Sequence, residues 1–89
     1  RSHLVNIYAA LANFDRANLT RADLSWANLS KTILTGANLT GTNLRGANLT
    51  GADLTGADLT GANLTGANLR HTILSDTNLA AALITGASY

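Results

Sequence analysis

Two histidines, His3 and His71, are the side chains of this 89-residue sequence best suited to acid–base chemistry or metal binding. Either role requires partner groups that converge on the same place, such as further metal ligands or a carboxylate. The sequence has no cysteine, and its serines and aspartates recur at regular positions rather than in a Ser-His-Asp grouping. We therefore predict that the protein is not an enzyme and has no catalytic, cofactor-binding or metal-binding residue.

Two further motifs are by-products of a regular spacing. Glycine recurs at every fifth position from Gly36 to Gly66, but no lysine followed by serine or threonine completes a phosphate-binding loop. Five triplets match the N-glycosylation sequon without a secretory signal beside them, and they begin at Asn18, Asn28, Asn38, Asn48 and Asn63. Neither motif indicates a small-molecule substrate.

The candidate partner contacts are Trp26, Arg16, Arg21 and Lys31. A basic group with one aromatic side chain can contact an acidic protein or a nucleic acid. For the basic residues we favour the alternative, a solvated rim that keeps a sparsely charged protein soluble, since only 12% of the residues are charged. Trp26 is the best single candidate because exposed aromatic residues are enriched at interfaces. A net charge of +1 does not favour nucleic acid, so we predict a protein partner.

The elements that position these residues follow a period of five. Leucine occupies every fifth position from Leu19 to Leu79, and Phe14 extends the series by one step. On a helix, five residues advance by about 140° net, which scatters the leucines around the axis. On a flat strand, an odd spacing points successive leucines to opposite faces. The leucines share one interior only if the chain turns a corner in every repeat, so we predict stacked coils about 4.8 Å apart.

Each repeat has defined inward and outward positions. The predicted centre of the core consists of Phe14, Leu19, Leu24, Leu29, Leu34, Leu39, Leu44, Leu49, Leu54, Leu59, Leu64, Leu69, Leu74 and Leu79. A small residue two positions earlier shares the inward side. Where that residue is threonine, at Thr32, Thr42, Thr72 and Thr77, its hydroxyl needs a backbone partner. Asparagine or aspartate before the centre faces outward, and glycine suits the corner.

The motif Ala-(Asn/Asp)-Leu-Thr-Gly, clear in residues 37–41, 47–51 and 57–61, resembles the pentapeptide-repeat family. The resemblance implies an all-β fold, a right-handed quadrilateral parallel β-helix with four pentapeptides, about 20 residues, in each coil. About four to five coils are expected.

We divide the chain into three parts. Residues 1–11 are a degenerate first coil or an N-terminal cap, residues 12–79 are the regular β-helix, and residues 80–89 are a degenerate C-terminal half coil. That last part shows no convincing cap, which favours either truncation or end-to-end association of two copies, because open sheet edges recruit other strands. No apolar run is long enough to span a membrane, and without a targeting segment we expect a soluble, cytoplasmic protein.

The resemblance also offers two functions. We favour a structural scaffold or protein–protein interaction surface, on which Ile33 and Ile73 add outward apolar area to one face. The alternative is a DNA mimic that binds DNA gyrase or topoisomerase, because some family members present an acidic, DNA-like surface. In this sequence Asp23, Asp53 and Asp58 fall on three different ladders, so acidic residues form no ladder and the mimic is disfavoured.

Overall fold

The fold is built from coils of four pentapeptides. The computed structural model describes residues 4–89. Within them, residues 20 positions apart pair through 13 isolated parallel β-bridges, which run from Tyr8↔Asn28 to Asn68↔Ser88. No helix and no strand longer than a single bridge residue occurs in this range. The same residues accordingly include no helix that is long and apolar enough to cross a membrane.

Each inner pentapeptide donates three backbone hydrogen bonds to the neighbouring coils. In the repeat centred on Leu39, the leucine N–H donates to the carbonyl of Asp58 at 2.7 Å, and the Gly41 N–H donates to Thr60 at 2.9 Å. In the opposite direction, the Asn38 N–H donates to the carbonyl of Ala17 at 2.9 Å. The coils are therefore held together as a parallel sheet is, although each side of a coil is only one repeat long.

A tight turn ends every repeat. The N–H of Ala37, for example, donates to the carbonyl of Leu34 at 3.1 Å, and the corner residue between them, Gly36, has a φ of 63°. A positive φ at the third residue of such a turn is the pattern of a type II turn, which glycine adopts without steric cost. Nine other corner residues that are not glycine, Trp26 at 62° among them, adopt the same conformation. The backbone thus keeps its corner even where the sequence lacks glycine.

The asparagine or aspartate before each centre residue makes a further hydrogen bond within its own repeat. The Oδ1 atom of Asn38 accepts a hydrogen bond from the backbone N–H of Thr40 at 3.1 Å, an N–H that takes no part in the ladder between coils. The same bond recurs at the other asparagines and aspartates of this position, including Asp53 and Asp58. Ile33 and Ile73 occupy two such positions and cannot accept this bond.

The core is made mainly of leucines at the centre positions of the repeats. Every centre leucine from Leu24 to Leu64 is essentially inaccessible to solvent, and Leu69 is nearly so. Phe14, Leu19 and Leu74 are partly buried and pack against this cluster. The prediction is wrong for Leu79, which is 39% exposed because no further coil covers its side of the last coil.

The inward threonines find the backbone partners that their hydroxyls require. Thr32 and Thr42 are buried, and their Oγ1 atoms donate to the carbonyls of Leu29, at 2.7 Å, and Leu39. Thr72 donates to Leu69 at 2.8 Å and Thr77 to Leu54 at 2.7 Å. Among residues 4–89, no fully buried side-chain nitrogen or oxygen lacks a hydrogen bond.

Residues 4–11 and 80–89 keep the backbone geometry of the regular coils. Ala9 N–H donates to Asn28 at 2.9 Å, and Gly66 N–H donates to Thr85 at 2.9 Å. Both ends thus continue the ladder despite their irregular sequence. His3, which lies in the predicted degenerate first coil, is outside the described residues.

The β-helix has four sides, faces 1 to 4, and each face includes the corner that follows its centre residues. Face 1 is centred on Phe14, Leu34, Leu54 and Leu74; face 2 on Leu19, Leu39, Leu59 and Leu79; face 3 on Leu4, Leu24, Leu44, Leu64 and Ile84; face 4 on Ala9, Leu29, Leu49, Leu69 and Tyr89.

Candidate protein-binding surfaces

The four contact residues predicted from the sequence lie at the four successive corners of one coil. Arg16 ends face 1, Arg21 ends face 2, Trp26 ends face 3 and Lys31 ends face 4. A flat partner touches at most two neighbouring corners of a four-sided coil. The structure therefore does not bring these four side chains together into one basic, aromatic patch.

Each of these corner side chains leans over a glycine in the next coil. A Cβ atom at Gly41 would lie 3.3 Å from Cγ of Arg21, and one at Gly51 would lie 3.2 Å from Cγ of Lys31. The contact is tightest at Gly46, where a Cβ would lie 2.7 Å from Cδ2 of Trp26 and closer still to Cε3 and Cζ3. A Cβ at Gly46 would thus overlap the indole, those at Gly41 and Gly51 would be tight, and one at Gly36 would make only ordinary contact with Arg16.

Face 1 carries a stripe of apolar and acidic side chains, made of Ile33, Asp53 and Ile73. Successive bridges, Ile33↔Asp53 and Asp53↔Ile73, place the three residues on one ladder. Ile33 is 41% exposed and Ile73 48% exposed. Between residues 12 and 78, Trp26 is the other exposed large apolar side chain, at 58%. The sequence predicted that both isoleucines face outward; the structure adds a carboxylate between them.

Charge is distributed unevenly over the four faces. Face 1 carries three aspartates and one arginine, for a net charge of −2, and these residues are Asp15, Asp53, Asp76 and Arg16. Within residues 4–89, face 4 carries Lys31 and Arg70 and no acid, whereas faces 2 and 3 each hold one acid and one base. The separation of Asp23, Asp53 and Asp58 onto three ladders is confirmed. The contribution of Asp15 and Asp76 to face 1 was missed, because these two residues follow the centre instead of preceding it.

The hydrogen bonds to Asp53 and Asp58 favour their charged forms. The Thr55 side chain and backbone donate to Oδ1 of Asp53 at 2.6 and 3.0 Å, and these bonds lower the pKa of that carboxyl. Thr60 lowers the pKa of Asp58 in the same way. Both carboxylates are therefore ionised at neutral pH, and Asp53 gives the stripe on face 1 a stable negative charge.

Among residues 4–89, concave sites are poorly developed. A shallow pocket of about 160 Å³ lies where faces 2 and 3 meet, lined by Arg21, Ala22, Asp23, Gly41 and Asn43. Typical ligand pockets are roughly 300–1,000 Å³ and mainly apolar. The part of the chain that the structure describes holds no group of three histidine, cysteine or acidic residues placed to bind a metal ion. The flat faces are the main surfaces available for recognition.

Comparison with known proteins gives a consistent result. The family model for pentapeptide repeats, with 8 copies, matches residues 3–36, 34–66 and 62–88. Comparison with curated protein sequences gave no significant match.

Several solved structures are similar to this chain. The pentapeptide repeat protein Rfr23 from the cyanobacterium Cyanothece 51142 is 29% identical, with a TM-score of 0.74 over 99% of this chain and 88% of that one. The pentapeptide repeat protein alr5209 from Nostoc PCC 7120 is 43% identical, with a TM-score of 0.83 over 84% of this chain and 62% of that one.

A third structure is QnrB1, a plasmid-mediated fluoroquinolone resistance protein, which is 29% identical with a TM-score of 0.50. That match covers 84% of this chain and only 42% of QnrB1. The repeat pattern, the coil geometry and these matches agree. The chain belongs to the pentapeptide-repeat family and has its right-handed quadrilateral β-helix fold.

Proposed function

We propose that this chain is a non-catalytic module that binds another protein through face 1. The observation that carries the proposal is the exposure of Ile33 and Ile73 at positions where the repeat otherwise places asparagine or aspartate. Members of the family generally serve as structural repeat proteins, which is consistent with a role in binding.

The fold itself does not account for the two isoleucines. An asparagine there would accept the hydrogen bond that Asn38 accepts from Thr40, a contribution of about 0.5–1.5 kcal/mol. Isoleucine gives up that bond and exposes apolar surface to water. A partner that covers both side chains recovers the cost, because it removes their apolar surface from water. Flat, regular faces without a deep cleft also suit protein contact better than small-molecule chemistry.

The corner residues have a secondary place in this proposal. Lys31 and Arg16 border face 1 at its two corners, whereas Trp26 lies between faces 3 and 4 and would contact a different partner surface. End-to-end association of two copies stays a prediction. Gyrase binding by DNA mimicry lacks the dense acidic ladder that it requires, because each aspartate before a centre stacks with uncharged residues.

The double variant Ile33→Asn/Ile73→Asn tests the proposal. We expect it to fold with a thermal midpoint near that of the wild type, because asparagine is the repeat's own residue at this position and gains the turn hydrogen bond. We expect its affinity for the native partner to fall at least about tenfold. The measurement is capture from an extract of the native host, followed by titration of the purified partner.

Asn48→Ala on face 4 is the matched control and should bind the partner as the wild type does. Equal affinity of the double variant and the wild type for every captured protein would show that face 1 is not the binding surface.

A further inference from the structure

The stripe on face 1 has a chemical pattern that defines its partner. We infer that it binds a basic amphipathic α-helix that lies along the solenoid axis, with two apolar side chains on Ile33 and Ile73 and an arginine or lysine between them on Asp53. This inference rests on the proposed function, in which face 1 binds protein, and it adds the kind of partner.

Charge complementarity indicates a cationic partner. Face 1 has a net charge of −2, or −1 when Lys31 at its other corner is included, and Asp53 lies in the middle of its apolar stripe. Within the described residues, the hydrogen bonds to Asp53 go to Oδ1, so Oδ2 is open to a donor from a partner. Asp15 accepts a hydrogen bond from Thr35 on the same face, and it adds negative charge to that face. Arg16 and Lys31 lie at the corners and leave the centre of the face acidic.

The spacing of the stripe indicates a helix. Successive coils are about 4.8 Å apart, so Ile33 and Ile73 are separated by roughly 10 Å with Asp53 halfway between. On a helix, residues i and i+7 are about 10.5 Å apart along the axis, and residue i+3 or i+4 lies between them on the same side. In an extended strand, side chains on the same side are about 6.6–6.8 Å apart. A strand with one side chain on Ile33 would therefore not place the next one on Asp53.

The contact area sets the expected strength. One face of a solenoid measuring 27 × 26 × 25 Å offers less than the roughly 800 Å² per partner of a standard stable interface. We therefore expect a transient complex with a dissociation constant on the order of 10–100 µM. Such a complex is suited to detection by NMR titration.

The test uses the whole chain and a synthetic helix-stabilised peptide with leucine at i and i+7 and arginine at i+4. We expect this peptide to shift the NMR signals of Ile33, Asp53 and Ile73, and the shifts to weaken as salt is added. A peptide with glutamate in place of the arginine should bind about tenfold more weakly. Asp53→Asn, which keeps the Oδ1 acceptor for Thr55, should reduce the difference between the two peptides, although Asp15 and Asp76 still leave face 1 with part of its negative charge.

Three results would overturn the inference: no shift on face 1 at millimolar peptide, equal binding of the two peptides, or an unchanged preference in Asp53→Asn. A peptide of the same composition held in an extended conformation should bind more weakly, and tighter binding of it would contradict the helix. If Ile33→Asn/Ile73→Asn loses the native partner while the helical peptides fail to bind, the helix inference fails and docking on face 1 stands. If the double variant keeps its partner, both fail.

Discussion

Replacing Leu54 by alanine is expected to remove a large part of the stability of the fold. Leu54 has 0% of its surface exposed and stacks between Leu34 and Leu74 inside face 1. Truncation of a buried leucine costs about 2–5 kcal/mol, because the lost transfer energy is added to that of the cavity left behind. Small domains have roughly 5–15 kcal/mol of stability in total. Urea denaturation followed by circular dichroism measures the loss.

Leu79→Ala is the matched control, since Leu79 has the same place in the repeat but is 39% exposed. We expect this variant to lose about 1 kcal/mol or less, because its surroundings are already open to solvent. Equal losses in the two variants would contradict the burial pattern of the stacked coils.

Gly46→Ala is expected to destabilise the fold more than Gly61→Ala does. The two glycines have nearly the same φ, 67° and 68°, so alanine pays the same backbone cost of about 1–2 kcal/mol at both. A Cβ at Gly61 meets nothing within 4 Å, whereas one at Gly46 would overlap the indole of Trp26. The displaced ring adds about 1–2 kcal/mol. Denaturation measures the difference, and the fluorescence of Trp26, the one tryptophan of the chain, should shift to the red in Gly46→Ala alone.

A double-mutant comparison separates the cost of displacing the indole ring from the cost of the backbone conformation. In a Trp26→Ala background, Gly46→Ala should cost no more than Gly61→Ala, because the steric partner is gone. If the extra cost persists without the indole, then the packing of Trp26 on Gly46 is not its cause.

The period of five was sufficient to predict much of the fold. It excluded a helix and a flat strand, placed the leucines inside, and required a corner in each repeat. The inward hydroxyls of Thr32 and Thr42 were predicted to need backbone partners, and they have them. The number of sides was not contained in the period, since a five-residue repeat is compatible with other coil lengths. The resemblance to the family supplied that number, and the bridges between residues 20 apart confirm it.

The surface was harder to predict because it depends on which residues stack. Trp26 and Gly46 are far apart in the sequence, and only the length of the coil brings the indole onto the glycine. The acidity of face 1 was missed for a related reason, since Asp15 and Asp76 belong to different positions of the repeat from Asp53. The sequence predicted that the contact residues lie on the outside of the coil. It did not predict that side chains at consecutive corners point away from one another. The position of a residue within its repeat thus predicts whether the residue is buried. To predict which residues share a surface patch, one must also know which residues stack on the same ladder.

The proposed binding surface depends on one claim, that a coil of 20 residues places Ile33, Asp53 and Ile73 on a single ladder. Scalar couplings across hydrogen bonds, measured by NMR, test it most directly because they identify each donor and acceptor pair. We predict couplings from the Leu34 N–H to the Asp53 carbonyl, from the Asp53 N–H to the Thr32 carbonyl, and from the Leu54 N–H to the Ile73 carbonyl. Couplings from these N–H groups to carbonyls at any other offset along the chain would contradict the ladder and the surface built on it.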